Sequence, residues 1–364
     1  MIKKLAENNH RVWIITNKIE EENYPDHKNI HMIFVPPILK YQGGLPSSIK
    51  DNIRYLINAL KIGKKIIKEN DIDLIHSNNF TPALTGGFLS LLTSKKHITS
   101  VWDVFTLCGC DYWKKWVSQT KISKINKFIG PIFEKLVLKT RCDAFHTISD
   151  ASKEDLIKFG AKKPIYNIPP TIEEIQESHM IQNNNQFIYV GRLVFYKNVE
   201  ILVKAINIVK NQENKIKLVI VGGGPQLEMI QEMVRNMNLE ENITIKGYVT
   251  SEEKIKIISQ SNAMLFPSKC EGFGLVILES WQQNRPVIAS DIPPMSDIIQ
   301  HEKTGLIVDP NDEKKWAEKI IQLIKNPSIS DEMGKKGNKV LHEKYNQEIF
   351  YQKLISMYQT ILSG

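Results

Sequence analysis

Short apolar runs rich in Val and Ile alternate with longer amphipathic stretches along almost the whole 364-residue chain. This is the pattern of parallel sheets joined by helical crossovers. A strand covered on both faces reads as a continuous apolar run, whereas its covering helix shows a single apolar stripe. In the first half the pattern predicts strands at Arg11–Thr16, Ile30–Val35, Leu74–Ser77, Ile98–Trp102, Ala144–Ile148 and Ile165–Ile168. In the second half it predicts Phe187–Val190, Leu218–Val221, Ile243–Lys246, Ala263–Phe266, Val287–Ala289 and Leu306–Val308. Two sets of six strands predict an α/β protein of two doubly wound, Rossmann-like domains.

Periodicity lapses in IPPTIEEIQESHMIQNNNQ, residues 168–186, where two prolines and a run of asparagines interrupt it. The expected organisation is a first domain over 1–170, a linker over 171–186, a second domain over 187–345 and a closing helix over 346–364. That helix has Ile349, Phe350, Leu354, Ile355 and Tyr358 at helical spacing and is free to pack back on the first domain. The chain opens on MIKKLAENNH, which reads as the end of a helix leading into Arg11–Thr16. A doubly wound domain normally opens on a strand and a loop, so a first strand and loop are expected to be missing.

The length suffices for two cores, and 42% apolar with 24% charged residues is ordinary for a globular chain. The net charge of +8 is unevenly placed: residues 1–175 hold 26 basic and 18 acidic side chains, and the remainder is neutral. Tyr112–Arg141 alone has eight basic residues against one acid, Glu134. From Ile122 its apolar positions follow helical spacing, with Trp113 and Trp116 upstream and Pro131 expected to kink or split the helix. Such a segment suits an anionic membrane surface, or else is a core helix with a solvated face. No run approaches 18 apolar residues and no secretory leader is evident, which points to a cytoplasmic protein, with the inner face of the cell membrane as its peripheral location if the basic segment binds lipid. Of Cys108, Cys110, Cys142 and Cys270, the only close pair is C-x-C without histidines at zinc spacing, so inert buried thiols are expected. No nucleic-acid reading module accompanies the basic segment.

Candidate chemistry lies in the second half. Leu218–Val221 runs into Gly222-Gly223-Gly224-Pro225 and then a helix, where glycines permit close approach of a ligand or simply serve a tight strand-to-helix turn. Phe187–Val190 is followed by Gly191-Arg192-Leu193 and by Lys197, two cations suited to a diphosphate or simply solvated. In CEGFGLVILESW, Glu271 precedes Gly272-Phe273-Gly274-Leu275, and Glu279 lies two turns into the helix that this glycine turn opens. A carboxylate beside a helix N-terminus can bind sugar hydroxyls or cap the helix, and one within the helix can bind ribose hydroxyls or face solvent.

In this order these residues resemble the retaining glycosyltransferases of family 4, of the two-domain GT-B architecture, with parallel sheets facing across a cleft. The resemblance runs nearly end to end, through LAENNHRVWIIT, DAFHTISDASKEDLIKFG, FIYVGRLVFYKNVEILVKAI, LVIVGGGPQLEMI, AMLFPSKCEGFGLVILESW and PVIASDIPPMSDIIQHEKTGLIVDPND. It implies a UDP- or GDP-sugar donor, with Arg192 and Lys197 on the diphosphate and Glu271 with the Gly272, Phe273, Gly274 and Leu275 turn at the donor sugar. Glu279 falls on the ribose, with Gly191, Gly223 and Gly224 lining the donor and Tyr248 and Val249 beside the base. It implies transfer to a glycan or lipid-linked glycan, in cell-surface polysaccharide or glycoconjugate synthesis, with no cofactor and no essential metal. Transfer with retention implies an oxocarbenium-like state, with preorganised cations stabilising the leaving phosphate.

Asp71-Ile72-Asp73 looks like a metal-binding Asp-x-Asp but precedes a strand, and is read as a helix-to-strand turn. Many relatives carry a histidine before an aspartate after the fourth strand. Here Trp102 precedes Asp103, a departure that leaves Asp103 as the candidate in the first domain and Trp102 as a sugar-facing wall or core. The strand and glycine-rich loop with which relatives begin are not replaced by Gly43-Gly44. The expectation is an internal start codon or a truncated gene. Two alternatives stay open: an impaired glycosyltransferase-like protein and a sugar-nucleotide epimerase of the same fold.

Overall fold

The structure, a computed structural model, describes residues 2–19, 24–39, 49–108, 111–119, 126–175 and 182–364. The chain divides into two compact units. One comprises Met1–Leu107, Lys121–Pro169 and Gln347–Gly364, the other Cys108–Thr120 and Pro170–Asn346.

In chain order the first half forms α1 (Ile2–Glu7), β1 (Val12–Ile19), β2 (Ile30–Leu39), α2 (Ile49–Glu69), β3 (Leu74–Ser77), α3 (Thr81–Thr93) and β4 (Lys96–Ser100). It continues with α4 (Tyr112–Gln119), α5 (Asn126–Lys139), β5 (Ala144–Thr147), α6 (Asp150–Phe159) and β6 (Ile165–Asn167). All six expected strands form and every pairing is parallel, but they make two sheets, β1-β2 and β3-β4-β5-β6, where one was read. Val12 of β1 and Leu74 of β3 nevertheless join one apolar cluster, so side chains span the two sheets where the described ladders do not. Asp71–Asp73 lies in the turn before β3, as read.

The second half begins with β7 (Asn183–Val190), α7 (Val199–Lys210), β8 (Lys217–Val221), α8 (Leu227–Asn236), β9 (Ile243–Gly247), α9 (Ser251–Gln260) and β10 (Ser261–Phe266). There follow α10 (Leu275–Gln282), β11 (Val287–Ser290), α11 (Met295–Ile298), β12 (Gly305–Val308), α12 (Glu313–Lys325), α13 (Pro327–Lys344) and α14 (Gln347–Ser363). β7 starts earlier than its apolar run, because the backbone of Asn183 pairs with Ser261 although its side chain is exposed and polar. The second sheet is fully parallel in the order β12-β11-β10-β7-β8-β9. Counted within the unit this is the doubly wound order, whose direction of winding reverses between β7 and β10.

Alternation along the strands decides which helices cover each face. In the first unit Ile98 and Ala144 meet Leu5 of α1 and Leu354, Met357 and Ile361 of α14. Phe145, one residue on, turns to the opposite face with Ala83 of α3, Val137 of α5 and Leu156 of α6. In the second unit Phe187, Leu218, Ala263 and Leu265 pack with Leu202 and Ile206 of α7 and Trp316 of α12, all fully buried. Each such aliphatic side chain contributes roughly 1.5–3 kcal/mol relative to exposure.

The basic stretch Tyr112–Arg141 is not one helix. α5 runs through Pro131 without ending there, while α4 belongs to the second unit. Tyr112 is buried against Phe195 and Tyr196, with ring centroids 5.7 and 5.5 Å away, and the Lys115 ammonium lies 5.7 Å from the Phe195 ring centre. Lys121, Lys124 and Cys110, like Gly43-Gly44, fall outside the described residues.

Candidate functional site

The loops leaving the carboxyl ends of β7, β8, β9 and β10 carry every second-half candidate except Leu275 and Glu279, which α10 supplies. Two of these loops are laced together by backbone. Gly191 N–H donates to Val221 (3.0 Å), Leu193 N–H to Gly223 (2.9 Å) and Gln226 N–H to Leu193 (3.0 Å). Gly222, at φ 126°, would place a Cβ 2.0 Å from the Gly191 carbonyl oxygen, and Gly224, at φ 155°, one 2.5 Å from that of Leu193. Both glycines are therefore required by loop-to-loop approach. Gly223 instead faces the ring of Tyr248, which is itself 74% exposed at the end of β9, beside the half-buried Val249.

The cations come together at the β7 and β10 ends. Lys197 closes a single 3-10 turn, Phe195–Lys197, and its ammonium is ion-paired with Glu271 from the loop after β10, both largely buried. The Arg192 guanidinium donates to the hydroxyl of Tyr196 (2.6 Å), whose ring lies under Lys197 (5.6 Å). Tyr189, fully buried, donates its hydroxyl to the Arg192 carbonyl (2.9 Å) and so shapes the Gly191-Arg192 turn. Burial, with Glu271 nearby, holds that phenol well above its usual titration range.

Asn198, which sequence reasoning missed, fixes Lys197. It adopts the left-handed conformation at φ 54°. Its buried amide donates to the carbonyls of Pro267 (3.2 Å) and Pro310 (2.7 Å), at the ends of β10 and β12. Asn tolerates this conformation better than other side chains with a Cβ. An asparagine between a cation and a helix start was the available signal.

α10 starts at Gly274 (φ 92°) with no side-chain cap, so Glu271 does not cap it. Phe273 is buried against Tyr345 (5.5 Å), and Leu275 opens the helix half exposed. Glu279 pairs through Oε1 with Lys254 of α9 (2.8 Å). Its Oε2 is buried with no hydrogen-bond partner among the described residues. An acceptor left in that state costs free energy until a donor reaches it.

Asp103 lies in the first unit, half-buried in the loop after β4, beside Trp102, whose exposed indole is not core. The loop is held at both ends. Ser152 donates to the Trp102 carbonyl (2.7 Å), and buried Glu134 accepts from the amides of Phe105 (2.8 Å) and Thr106 (3.0 Å) and from the Thr106 hydroxyl. The one acid in the basic stretch is thus a backbone anchor.

The expectation of inert thiols is corrected. Cys108 and Cys270, the latter next to Glu271, form a disulfide, which distance in sequence concealed. Cys142 alone is free and buried among the described residues, its thiol pushed up to about 11 by burial. No cluster of His, Cys, Asp and Glu suited to a metal ion occurs among the described residues.

The chain matches known proteins along nearly its whole length. The sequence pattern of Glycosyltransferase Family 4 matches residues 1–174, and that of Glycosyl transferases group 1 matches 171–340. An uncharacterized glycosyltransferase of Methanocaldococcus jannaschii is 30% identical over 335 residues, covering 92% of this chain and 86% of that one. Sucrose-phosphate synthase of Thermosynechococcus elongatus superposes with a TM-score of 0.81 at 20% identity, over 99% of this chain and 91% of that one, which shows the GT-B fold. HepE of Anabaena, solved with UDP and glucose, gives 0.70 at 15% identity, over 91% and 87% of the two chains.

Proposed function

The chain belongs to the family 4, group 1 glycosyltransferases, and from that premise we propose that it transfers a sugar with retention from a UDP-sugar to a glycan or lipid-linked glycan. The observation that carries the reading is the convergence of Arg192, Lys197 and Glu271 at the reversal point between β7 and β10. In open parallel sheets the crevice at that point is where nucleotides bind. The diphosphate meets Arg192 and Lys197, the released Glu271 carboxylate takes sugar hydroxyls, and the ribose donates to Glu279 Oε2. Tyr248 and Val249 border the base, with Gly191, Gly223 and Gly224 beneath the donor. The UDP bound by HepE supports a uridine donor; a GDP-sugar is the alternative to test.

Transfer builds charge on the leaving diphosphate. Two cations already fixed by Tyr196 and Asn198 stabilise it without the reorganisation that water would need. In this reading they carry the charge that a metal carries elsewhere, and activity needs no resident ion. Asp103, on its clamped loop, is the first-unit candidate for orienting the substrate. No helix among the described residues is long and apolar enough to cross a membrane. We place the enzyme on the cytoplasmic side, peripheral to the membrane that holds a lipid-linked acceptor. The test is a panel of UDP- and GDP-sugars, read by release of nucleotide and by the anomeric configuration of the product. Turnover of one donor with retained configuration supports the reading; binding of a nucleotide without turnover supports an impaired protein.

A further inference from the structure

The helical layer over one face of the first unit has an outer surface that its core does not explain. β3, β4, β5 and β6 run parallel and in chain order. Their right-handed crossovers therefore put α3, α5 and α6 on the same face, with α2 packed beside α3. The inner side of this layer is core. The outer side is apolar and cationic at once.

On α2, Ile53 and Ile57 are exposed, the latter by 60%, and the same stripe continues through exposed Lys61, Lys64 and Lys68. On α3, Phe88, Leu91 and Leu92 point outward, Leu91 being 59% exposed. On α5, Ile132, also 59% exposed, and Leu136 share the outer side with Lys135 and Lys139. Residues 49–69, 81–96 and 126–141 together hold 12 basic and three acidic side chains, and one of those acids is the buried anchor Glu134.

Single exposed apolar residues need no explanation, but seven of them interleaved with lysines on the outer side of three neighbouring helices do. The interleaved lysines decide what covers it. The centres of protein interfaces are depleted in lysine. At a bilayer surface, in contrast, apolar side chains enter the headgroup boundary while lysine stems lie along them and carry their ammonium groups to lipid phosphates.

We propose that the outer face of α2, α3 and α5 docks on an anionic lipid bilayer. This deepens the reading that the enzyme works at a membrane. It moves the contact from the whole of Tyr112–Arg141 to three helices of one unit, of which only α5 lies in that stretch.

The test uses the full chain with vesicles of phosphatidylcholine alone or mixed equally with phosphatidylglycerol, read by co-sedimentation. Binding is expected to the mixed vesicles at low salt and to weaken at high salt. The triple variant Leu91→Ser, Leu92→Ser, Ile132→Ser is expected to bind about tenfold more weakly or worse. Lys61→Glu with Lys64→Glu should do the same by charge alone, and it covers the case in which the serine variant fails to fold. Circular dichroism and the thermal shift given by UDP should be unchanged in both. Failure of UDP to shift the wild type would count against the donor site and not against docking. The proposal is overturned by absence of wild-type binding, by equal binding to neutral vesicles, or by wild-type affinity in both variants. It is equally overturned by a wild-type dimer that the serine variant dissociates, which would make the face a contact between two copies.

Discussion

Mild acid should weaken the first unit through a buried histidine chain. Tyr358 of α14 meets His76 Nδ1 (2.7 Å), His76 Nε2 meets Ser100 Oγ (2.7 Å), and Ser100 Oγ meets His146 Nδ1 (2.7 Å). His146 Nε2 faces the Ile168 carbonyl at 3.4 Å. A carbonyl can only accept, so His146 donates from Nε2 and accepts at Nδ1. Ser100 then donates to His146 and accepts from His76, and His76 accepts from Tyr358. Both imidazoles are thereby neutral. Burial depresses His76 to about 3, helped by His146 and His97, and His146 to about 4. His97, bonded to the Arg141 carbonyl and near Asp143, is also lowered by burial.

An unfolded histidine titrates near 6.5. Stability is therefore full above that pH and is lost as pH falls from about 6.5 towards the folded values, because only the unfolded state takes up protons there. At pH 5 the loss is about 2 kcal/mol for each of His76 and His146, or about 4 kcal/mol together. That is a large share of the roughly 5–15 kcal/mol of a typical domain. Urea titrations at pH 7 and pH 5, followed by hydrogen exchange of β3–β5 peptides, read this unit separately from the other. His76→Gln cannot titrate, so it should lower stability at pH 7 yet reduce the loss between the two pH values by about 2 kcal/mol. An unchanged loss in His76→Gln, or a wild type equally stable at both, would refute the argument.

Four further outcomes are expected. Glu279→Ala should weaken UDP binding about tenfold or more by calorimetry, consistent with a charged hydrogen bond of about 1.5–3 kcal/mol, whereas Glu318→Ala, at an exposed position of α12, should not. Lys197→Ala should lower kcat by about 100-fold or more, since it removes charge stabilisation and strands Glu271 as a buried anion. Activity measured after exhaustive chelation with EDTA should equal that of untreated enzyme, and a loss restored by a divalent ion would contradict the role given to Arg192 and Lys197. Gly222→Ala should cost about 3 kcal/mol or more by thermal unfolding. Gly160→Ala, at φ 105° but facing open space, should cost about 1 kcal/mol.

Elements whose identity depends on local pattern were legible. Each of the twelve short runs became a strand because parallel strands covered on both faces need largely apolar sequence. Arg192, Lys197 and Glu271 could be singled out because each lies in the loop that follows such a run. What escaped depends on contacts distant in the chain. Nothing around Cys108 announces Cys270, and Tyr112 looks like any aromatic residue of a basic helix until Phe195 and Tyr196 are placed against it. Asn183–Gln186 read as linker since side chains, not backbone, carry the hydrophobic signal, yet the backbone pairs. Glu134 read as a lone acid among lysines, and only the fold supplies the amides of Phe105 and Thr106 that it binds.

The donor site is tested most directly by calorimetry of UDP and of uridine on the wild type and on Arg192→Ala, Lys197→Ala. UDP should bind the wild type far more tightly than uridine does, and the difference should vanish in the double variant, because these two cations meet the diphosphate. Retention of the full UDP preference in the double variant, or failure of both UDP and GDP to bind the wild type, would contradict the site.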